Sequence, residues 1–260
     1  MEKPAQGALR PDYGIDAPGV VRNLLIAGSV ALLVCVLAYS GMPGTAAVRP
    51  LGRMSISWAV GFLGMGGYMY YSSKVSKLHE REWLLDLIPW RGDETVLDVG
   101  CGLGLMLHGA AKRLTTGTAA GIDIWQTEDL SGNNPEGALE NARREGVSDR
   151  VTILTADMRQ IPFPDGRFDV IVSNGAIHNL YKASERSAAV REIARVLKPG
   201  GACILADVRH EAEYAGVLRT NGVTDQRRRD FGISSLFFAV LTLGAVRPFA
   251  LVGRKPPASS

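Results

Sequence analysis

A chain of 260 residues has room for one α/β domain and an appendage. Its formal net charge of +3, with Arg227-Arg228-Arg229 as the one dense basic run, excludes a nucleic-acid binder's footprint and suits a protein beside an anionic surface. Cys35, Cys101 and Cys203 are scattered, with no Cys-x-x-Cys pair or His/Cys cluster at ligand spacing, which points to reduced thiols, no metal and cytosol-facing chemistry.

In chain order, a polar head (1–22) carrying Pro4, Pro11 and Pro18 gives way to two uncharged apolar runs, 24–42 and 54–71. A membrane-crossing helix needs about 20 apolar residues, and each run is close to that. Tyr39, Trp58, Tyr68, Tyr70 and Tyr71 stand near their ends, as interfacial aromatics do. Gly61 and Gly67, beside Gly64 and Gly66, are expected to let a partner helix approach closely. The runs and their short Pro/Gly-rich connector predict a transmembrane hairpin within 23–73. The alternative is a buried helical hairpin of a soluble protein, against which stands the lack of a polar stripe. A cleaved signal peptide is disfavoured by the long head and the second run. Lys3, Arg10 and Arg22 before the runs, Arg49 and Arg53 between them, and Lys74, Lys77 and Arg81 after them favour both ends on the cytoplasmic side.

Apolar residues at helical spacing after 72, stopped by Pro89 and Gly92, predict a connecting helix within 74–94 that leaves no floppy linker. Its Trp83 suits either lipid headgroups or the cover of a domain core. Beyond it strands alternate with helices, which predicts a parallel sheet covered on both faces. The strands are placed at 95–99, 119–123, 151–155, 168–173, 202–206 and 249–252. The helices are placed at 105–114, 135–145, 184–197 and 211–220, with Asn134 and Pro135 as N-cap and first helical residue and Gly200-Gly201 as the stop before the fifth strand.

The strand at 95–99 runs into Gly100-Cys101-Gly102-Leu103-Gly104-Leu105. Such glycines turn the chain tightly and bring backbone N–H groups up to a ligand at a helix N-terminus, which marks a nucleoside-cofactor loop. A dinucleotide loop reads G-x-G-x-x-G, with Gly or Ala where this chain has Leu105. Asp98 lies within the strand, and Asp123 ends the next apolar run.

That order resembles the first motif of the class I S-adenosylmethionine-dependent methyltransferases, in particular their small-molecule, type 11 branch, and the resemblance extends over about 95–207. It implies a Rossmann-like α/β domain (95–254) with a mostly parallel seven-stranded sheet and helices on both faces, followed by a disordered tail (255–260). Asp123 matches the acid that holds the cofactor's ribose hydroxyls, a role suited to two acceptor oxygens. Thr155-Ala156-Asp157-Met158 resembles the adenine segment, with Asp157 accepting from the exocyclic amine and Met158 packing on the ring. Asp157 as a solvated loop acid is the alternative. The cofactor set implied is Asp98, Gly100, Cys101, Gly102, Gly104, Asp123, Ile124, Asp157, Met158 and Asn174. Residues 168–174 resemble the fourth motif, and Arg195-Val196-Leu197-Lys198-Pro199-Gly200-Gly201 resembles a mainly structural turn of the family. After the fourth strand the chain reads Ser173-Asn174-Gly175-Ala176 and lacks the Asn/Asp-Pro-Pro-aromatic clamp, which counts against nucleobase or glutamine substrates.

A sulfonium already activates its methyl group, so alignment and water exclusion carry most of an in-line transfer. A hydroxyl acceptor also gains from a general base. His178, just after the fourth strand, is the candidate, the alternative being a structural ring bonded to a nearby carbonyl. Trp125 suits adenine or ribose packing as well as ordinary core packing. The uncharged stretch 231–246, too short for a comfortable span, reads either as a membrane-facing lid for a greasy acceptor or as a helix covering the sheet edge. The function expected is methyl transfer to a small, lipophilic, lipid or isoprenoid acceptor by a membrane-anchored enzyme, without nucleic acid and with the oligomeric state left open. A nicotinamide-dependent oxidoreductase and a catalytically silent membrane adaptor are the alternatives.

Overall fold

An apolar run buried on both faces is what a central parallel strand needs, and residues 95–99 supply one. In the computed structural model, which describes residues 10–40, 49–231 and 247–258, this run is β1 (Thr95–Val99), with Val96, Leu97 and Val99 fully buried. Contacts divide the chain into two units. The first is drawn from residues 10–13, 79–125 and 133 onward, the second from 14–78 and 126–132.

In the first unit β1 leads through α4 (Leu105–Ala111) to β2 (Thr118–Asp123), α5 (Pro135–Glu145), β3 (Val151–Thr155) and β4 (Phe168–Asn174). A 3-10 turn (Ile177–Asn179) and α6 (Ala183–Val196) precede β5 (Leu197–Asp207), α7 (Glu211–Thr220), β6 (Asp225–Asp230) and β7 (Phe249–Arg254). The sheet order is β3-β2-β1-β4-β5-β7-β6, with β1 to β5 parallel and β7 antiparallel to both its neighbours. Alternate residues of each strand feed opposite cores. Val96, Val170 and Ile204 pack with Leu84, Leu85, Leu107 and Ala110. On the other face Leu97, Ile171 and Leu205 pack with Val190 and Ile193 of α6 and Tyr214 and Leu218 of α7.

The Arg195 to Gly201 motif fastens this sheet. Arg195 donates to the carbonyls of Ile161 and Phe163 at 2.9 and 2.8 Å, and Lys198 reaches Asp169 at 2.8 Å. β5 therefore starts at Leu197 rather than 202, with a register irregularity opposite Phe168 and Val170. α4 stops at Ala111, short of the expected 114. β6 escaped the sequence reading because Asp-Gln-Arg-Arg-Arg-Asp has no apolar alternation; charges suit an edge strand, where they discourage pairing with other chains. The expected disordered tail is too long: Lys255 is tied in, its N donating to Gly201 O and its Nζ to Ala194 O, both at 3.0 Å.

In the second unit α1 (Pro18–Tyr39) lies antiparallel to α2 (Arg49–Tyr71). Three glycines allow the approach: a Cβ on Gly28 would meet Leu63, one on Gly66 Leu25, and one on Gly52 Ala38. Gly61, Gly64 and Gly67 face open space, so the sequence placed the close approach on the wrong glycines. Both helices begin earlier than their apolar runs, α1 with proline in its first turn and α2 with Arg49 and Arg53 inside it. Among the described residues only α1 is long and apolar enough to cross a membrane; glycine, serine and tyrosine dilute α2.

Residues 14–17 pair with the loop that follows β2. Asp16 and Leu130 form a β-bridge, and Ile15 N donates to Ser131 Oγ at 2.7 Å. Lys77 Nζ donates to Gly14 O at 3.1 Å and contacts Asp16 at 3.2 Å. The expected connecting helix is two pieces, a π-helical turn (Ser72–Ser76) and α3 (Lys77–Leu85). α3 ends early because Trp90 Nε1 takes up the carbonyl of Leu85 at 2.7 Å. The stretch 231–246 lies outside the described residues beyond Phe231, whose ring packs at a tilt 4.9 Å from Trp83, both against the core, in support of a core-covering role for that indole.

Candidate active site

The strand order reverses between β1 and β4, and in open α/β sheets ligands bind beyond the carboxyl ends of strands at such a point. There Gly100, Gly102 and Gly104 all adopt positive φ (74°, 50° and 86°), a path that side-chain-bearing residues rarely follow. Gly100 is also fixed by space, since a Cβ there would overlap Ala176 and touch Met158 Cε at 3.4 Å. The ends of β1, β3 and β4 thus converge on one bare Cα.

Four of the loop's amides are already engaged within the protein. Gly100 N and Cys101 N donate to Ile122 O at 2.9 and 3.0 Å, Gly104 N to Cys101 O at 2.8 Å, and Gly102 N to Asp123 Oδ2 at 2.8 Å. These bonds hold the loop's shape before any ligand arrives, so what the glycines provide is close approach. Asp123 also accepts from Trp125 N at 2.6 Å and lies 3.4 Å from Asn133 Nδ2.

Asp98 is buried, and its Oδ2 makes no hydrogen bond among the described residues. Burial, with a smaller contribution from the charge of Asp123, pushes its carboxyl up to about 8, so it is largely protonated at neutral pH. Burial likewise pushes the Cys101 thiol well up, leaving it a small apolar filler. Ile124 is exposed and Asn174 half-buried at the end of β4. Asp157 is held bidentately by Arg159, whose Nε donates to Oδ1 at 3.0 Å and Nη2 to Oδ2 at 2.6 Å, which pulls its carboxyl below the usual range. Trp125 adopts φ 64° and donates from Nε1 to Thr155 Oγ1 at 2.7 Å, so its indole spans the ends of β2 and β3.

His178 stands in the 3-10 turn two residues beyond Ala176. Its Nδ1 lies 2.5 Å from Asp207 Oδ1, and its backbone N donates to Asp207 Oδ2 at 3.1 Å. Asp207, buried at the end of β5, also accepts from Val208 N at 2.8 Å and from the Tyr214 hydroxyl at 3.1 Å. The ring therefore answers to a carboxylate rather than to a carbonyl. A carboxylate so placed bears on the imidazole's orientation. Sequence reasoning missed Asp207 and Tyr214, although an acid ending the last apolar parallel strand was a usable signal.

The loop is braced from behind by residues given no role from sequence. His108 is fully buried, and its ring fills the space a Gly104 side chain would need; burial and the nearby Arg81 lower it to about 4, so it is neutral. Tyr13 OH lies 3.4 Å from His108 Nδ1 and donates to Glu145 at 2.7 Å, and Arg81 meets that same carboxylate at 2.9 Å. Asn141 donates to Leu103 O at 3.1 Å and to Asp12 O at 2.8 Å. Residues 10–13 of the polar head are thus part of the first unit.

Residues 97–205 match a family described as "Methyltransferase domain". Among curated relatives, methyltransferase GfsG of Streptomyces halstedii is 34% identical over 147 residues, 55% of this chain and 49% of its own length. The 27-O-demethylrifamycin SV methyltransferase of Amycolatopsis mediterranei is 34% identical over 48% of this chain and 42% of its own length. The sterol 24-C-methyltransferase of Pneumocystis carinii is 37% identical over 43% and 27%. The chain spans about half or less of the length of these relatives. A solved methyltransferase of Aquifex aeolicus, S-adenosylmethionine-dependent, shares the fold at TM-score 0.52 and 21% identity, covering 68% of this chain and 90% of its own. The [4+2]-cyclase SpnF shares it at TM-score 0.55 and 22% identity, covering 70% and 81%. Motif order, strand order and the family match agree: residues 97–205 are similar to a methyltransferase domain and carry its sheet order.

Proposed function

We propose that the chain transfers a methyl group from S-adenosylmethionine to a small, lipophilic acceptor, with His178 as general base and Asp207 as the group that orients it. The observation that carries this reading is the His178 to Asp207 contact, two residues from the Ala176 that abuts the glycine loop. The residues present fit the cofactor. Gly100 leaves a cradle that a Cβ would fill, and Asp98 offers a buried oxygen without a donor. Asp98, Gly100, Cys101, Gly102, Gly104, Asp123, Ile124, Asp157, Met158 and Asn174 would hold it, with Asp123 at the ribose. The preset Asp123 to Gly102 bond is consistent with a loop built in advance of binding. When bound, S-adenosylmethionine supplies a methyl group made electrophilic by its sulfonium.

The chain's own task is then to exclude water and to take the acceptor's proton at His178 Nε2, with Asp207 offsetting the imidazolium charge. A sterol-modifying relative and the exposed apolar face of α1 support a greasy acceptor reached from a membrane. In this reading α1 and α2 anchor the chain as two spans, residues 10–17 lead into them, and the catalytic unit faces the cytoplasm, where the cofactor is made.

With the full-length chain in detergent, calorimetry should show binding of S-adenosylmethionine and its demethylated product. Labelled-methyl transfer into a membrane extract should yield a labelled lipid-soluble product. His178→Ala should lower turnover roughly 10²-fold or more with cofactor affinity unchanged. Unchanged turnover would remove His178 from the mechanism, and absence of cofactor binding would remove the mechanism altogether.

A further inference from the structure

β6 alternates its side chains between two surfaces of the sheet edge. On one, Arg228 pairs with Glu211 at 2.6 Å and with Asp230, and Gln226 donates to Ala215 O and Val223 O, so the charge is spent within the protein. On the other, Arg227 and Arg229 stand beside Arg254 of β7, which is in register with Asp225, and with Leu87 and Val252 they line a shallow depression. Among the described residues Asp225 is the single carboxylate lining it, 3.7 Å from Arg227 Nε. Asp86, next to Leu87, is taken by Arg113 at 2.6 Å. Arg229 and Arg254 have no acid within ion-pair distance among the described residues. Three guanidinium groups against one carboxylate leave a local excess of two positive charges in a protein whose formal net charge is +3.

Guanidinium forks match phosphate oxygens, and basic groups beside an anionic leaflet are drawn to it. The same chain carries α1, with Val30 56% and Leu33 57% exposed, a surface that water covers poorly and lipid covers well. From this combination we propose that the Arg227, Arg229 and Arg254 surface of the β6–β7 edge is a docking site for the phosphate headgroups of an anionic membrane. The proposal is supported by the membrane reading of α1 but stands on the arginine surface itself, and it is independent of methyl transfer.

The native cysteines Cys35, Cys101 and Cys203 are buried, so Thr224→Cys, at an exposed position before β6, gives the full-length chain one accessible thiol for a fluorophore. The labelled chain is placed in phosphatidylcholine nanodiscs, with and without phosphatidylglycerol, that contain a contact-range headgroup quencher. Quenching is expected in the anionic discs only. It should vanish at about 1 M salt, where screening falls to ~3 Å, and in Arg227→Gln/Arg229→Gln/Arg254→Gln. Equal quenching in neutral discs, or its survival in the triple variant, overturns the docking site. Loss of quenching on adding inorganic phosphate at constant ionic strength would show a site for free phosphate instead. A chain that never enters neutral discs refutes the membrane reading of α1. The docking site is then decided by flotation with anionic vesicles, which upholds it if the triple variant binds roughly 100-fold more weakly, at about fivefold per charge, and overturns it otherwise.

Discussion

Asp98 shows how one position combines a fold requirement with a chemical one. It sits in β1 between Leu97 and Val99, both fully buried, where an ionised carboxylate is costly to keep. Its carboxyl is raised to about 8 in the folded protein, against 3.8 for an ordinary aspartate. Between roughly pH 4 and pH 8 the folded state therefore holds a proton that the unfolded chain has released, and stability falls as pH rises through that window. The slope is at most ~1.4 kcal/mol per pH unit. Asp98→Asn removes the titration, so its melting temperature should gain on the parent steadily from pH 4 to pH 8 without ligand. A difference between the two proteins that stays constant with pH would mean that Asp98 is charged in the fold.

The elements divide by how much of their logic is local. β1, β3, α5 and α7 run where the sequence placed them, because apolar runs, an Asn-Pro start and glycine stops are written in adjacent residues. The glycine loop was legible for the same reason. Asp207 was not, since its meaning depends on His178, 29 residues earlier, and β6 was hidden by its charges until β7 paired with it. The brace behind the loop was least legible of all: Tyr13 meets Glu145 across 132 residues, and no periodicity announces such a contact. Tyr13→Phe tests what that brace does. Loss of the hydroxyl costs a buried charged hydrogen bond worth about 1.5–3 kcal/mol and should lower the melting temperature. Because the His108 ring underlies Gly104, cofactor affinity should also weaken several-fold in calorimetry. A lowered melting temperature with unchanged affinity would mean that residues 10–13 stabilise the unit without shaping the loop.

At the scale of the whole chain, the first unit has the buried charged pairs and two-sided core of a water-soluble domain, while the second presents a 22-residue apolar helix. The close antiparallel packing at Gly28, Gly52 and Gly66 buries one side of α1 and leaves Val20, Ile26, Val30, Leu33 and Val36 about half exposed. A helix meant for a protein core would bury such residues, whereas a helix in lipid has no reason to, since hydrocarbon is as apolar as the side chains themselves. Anchoring through α1 therefore predicts that the chain stays with membranes through an alkaline carbonate wash. Val30→Arg/Leu33→Arg places two cations near the middle of the helix, at about 2.5–3.5 kcal/mol each on insertion scales. That variant should move to the soluble fraction while the first unit still melts cooperatively and binds S-adenosylmethionine. A parent chain that is soluble and monodisperse without detergent would leave α1 and α2 as a pair that some other surface must cover.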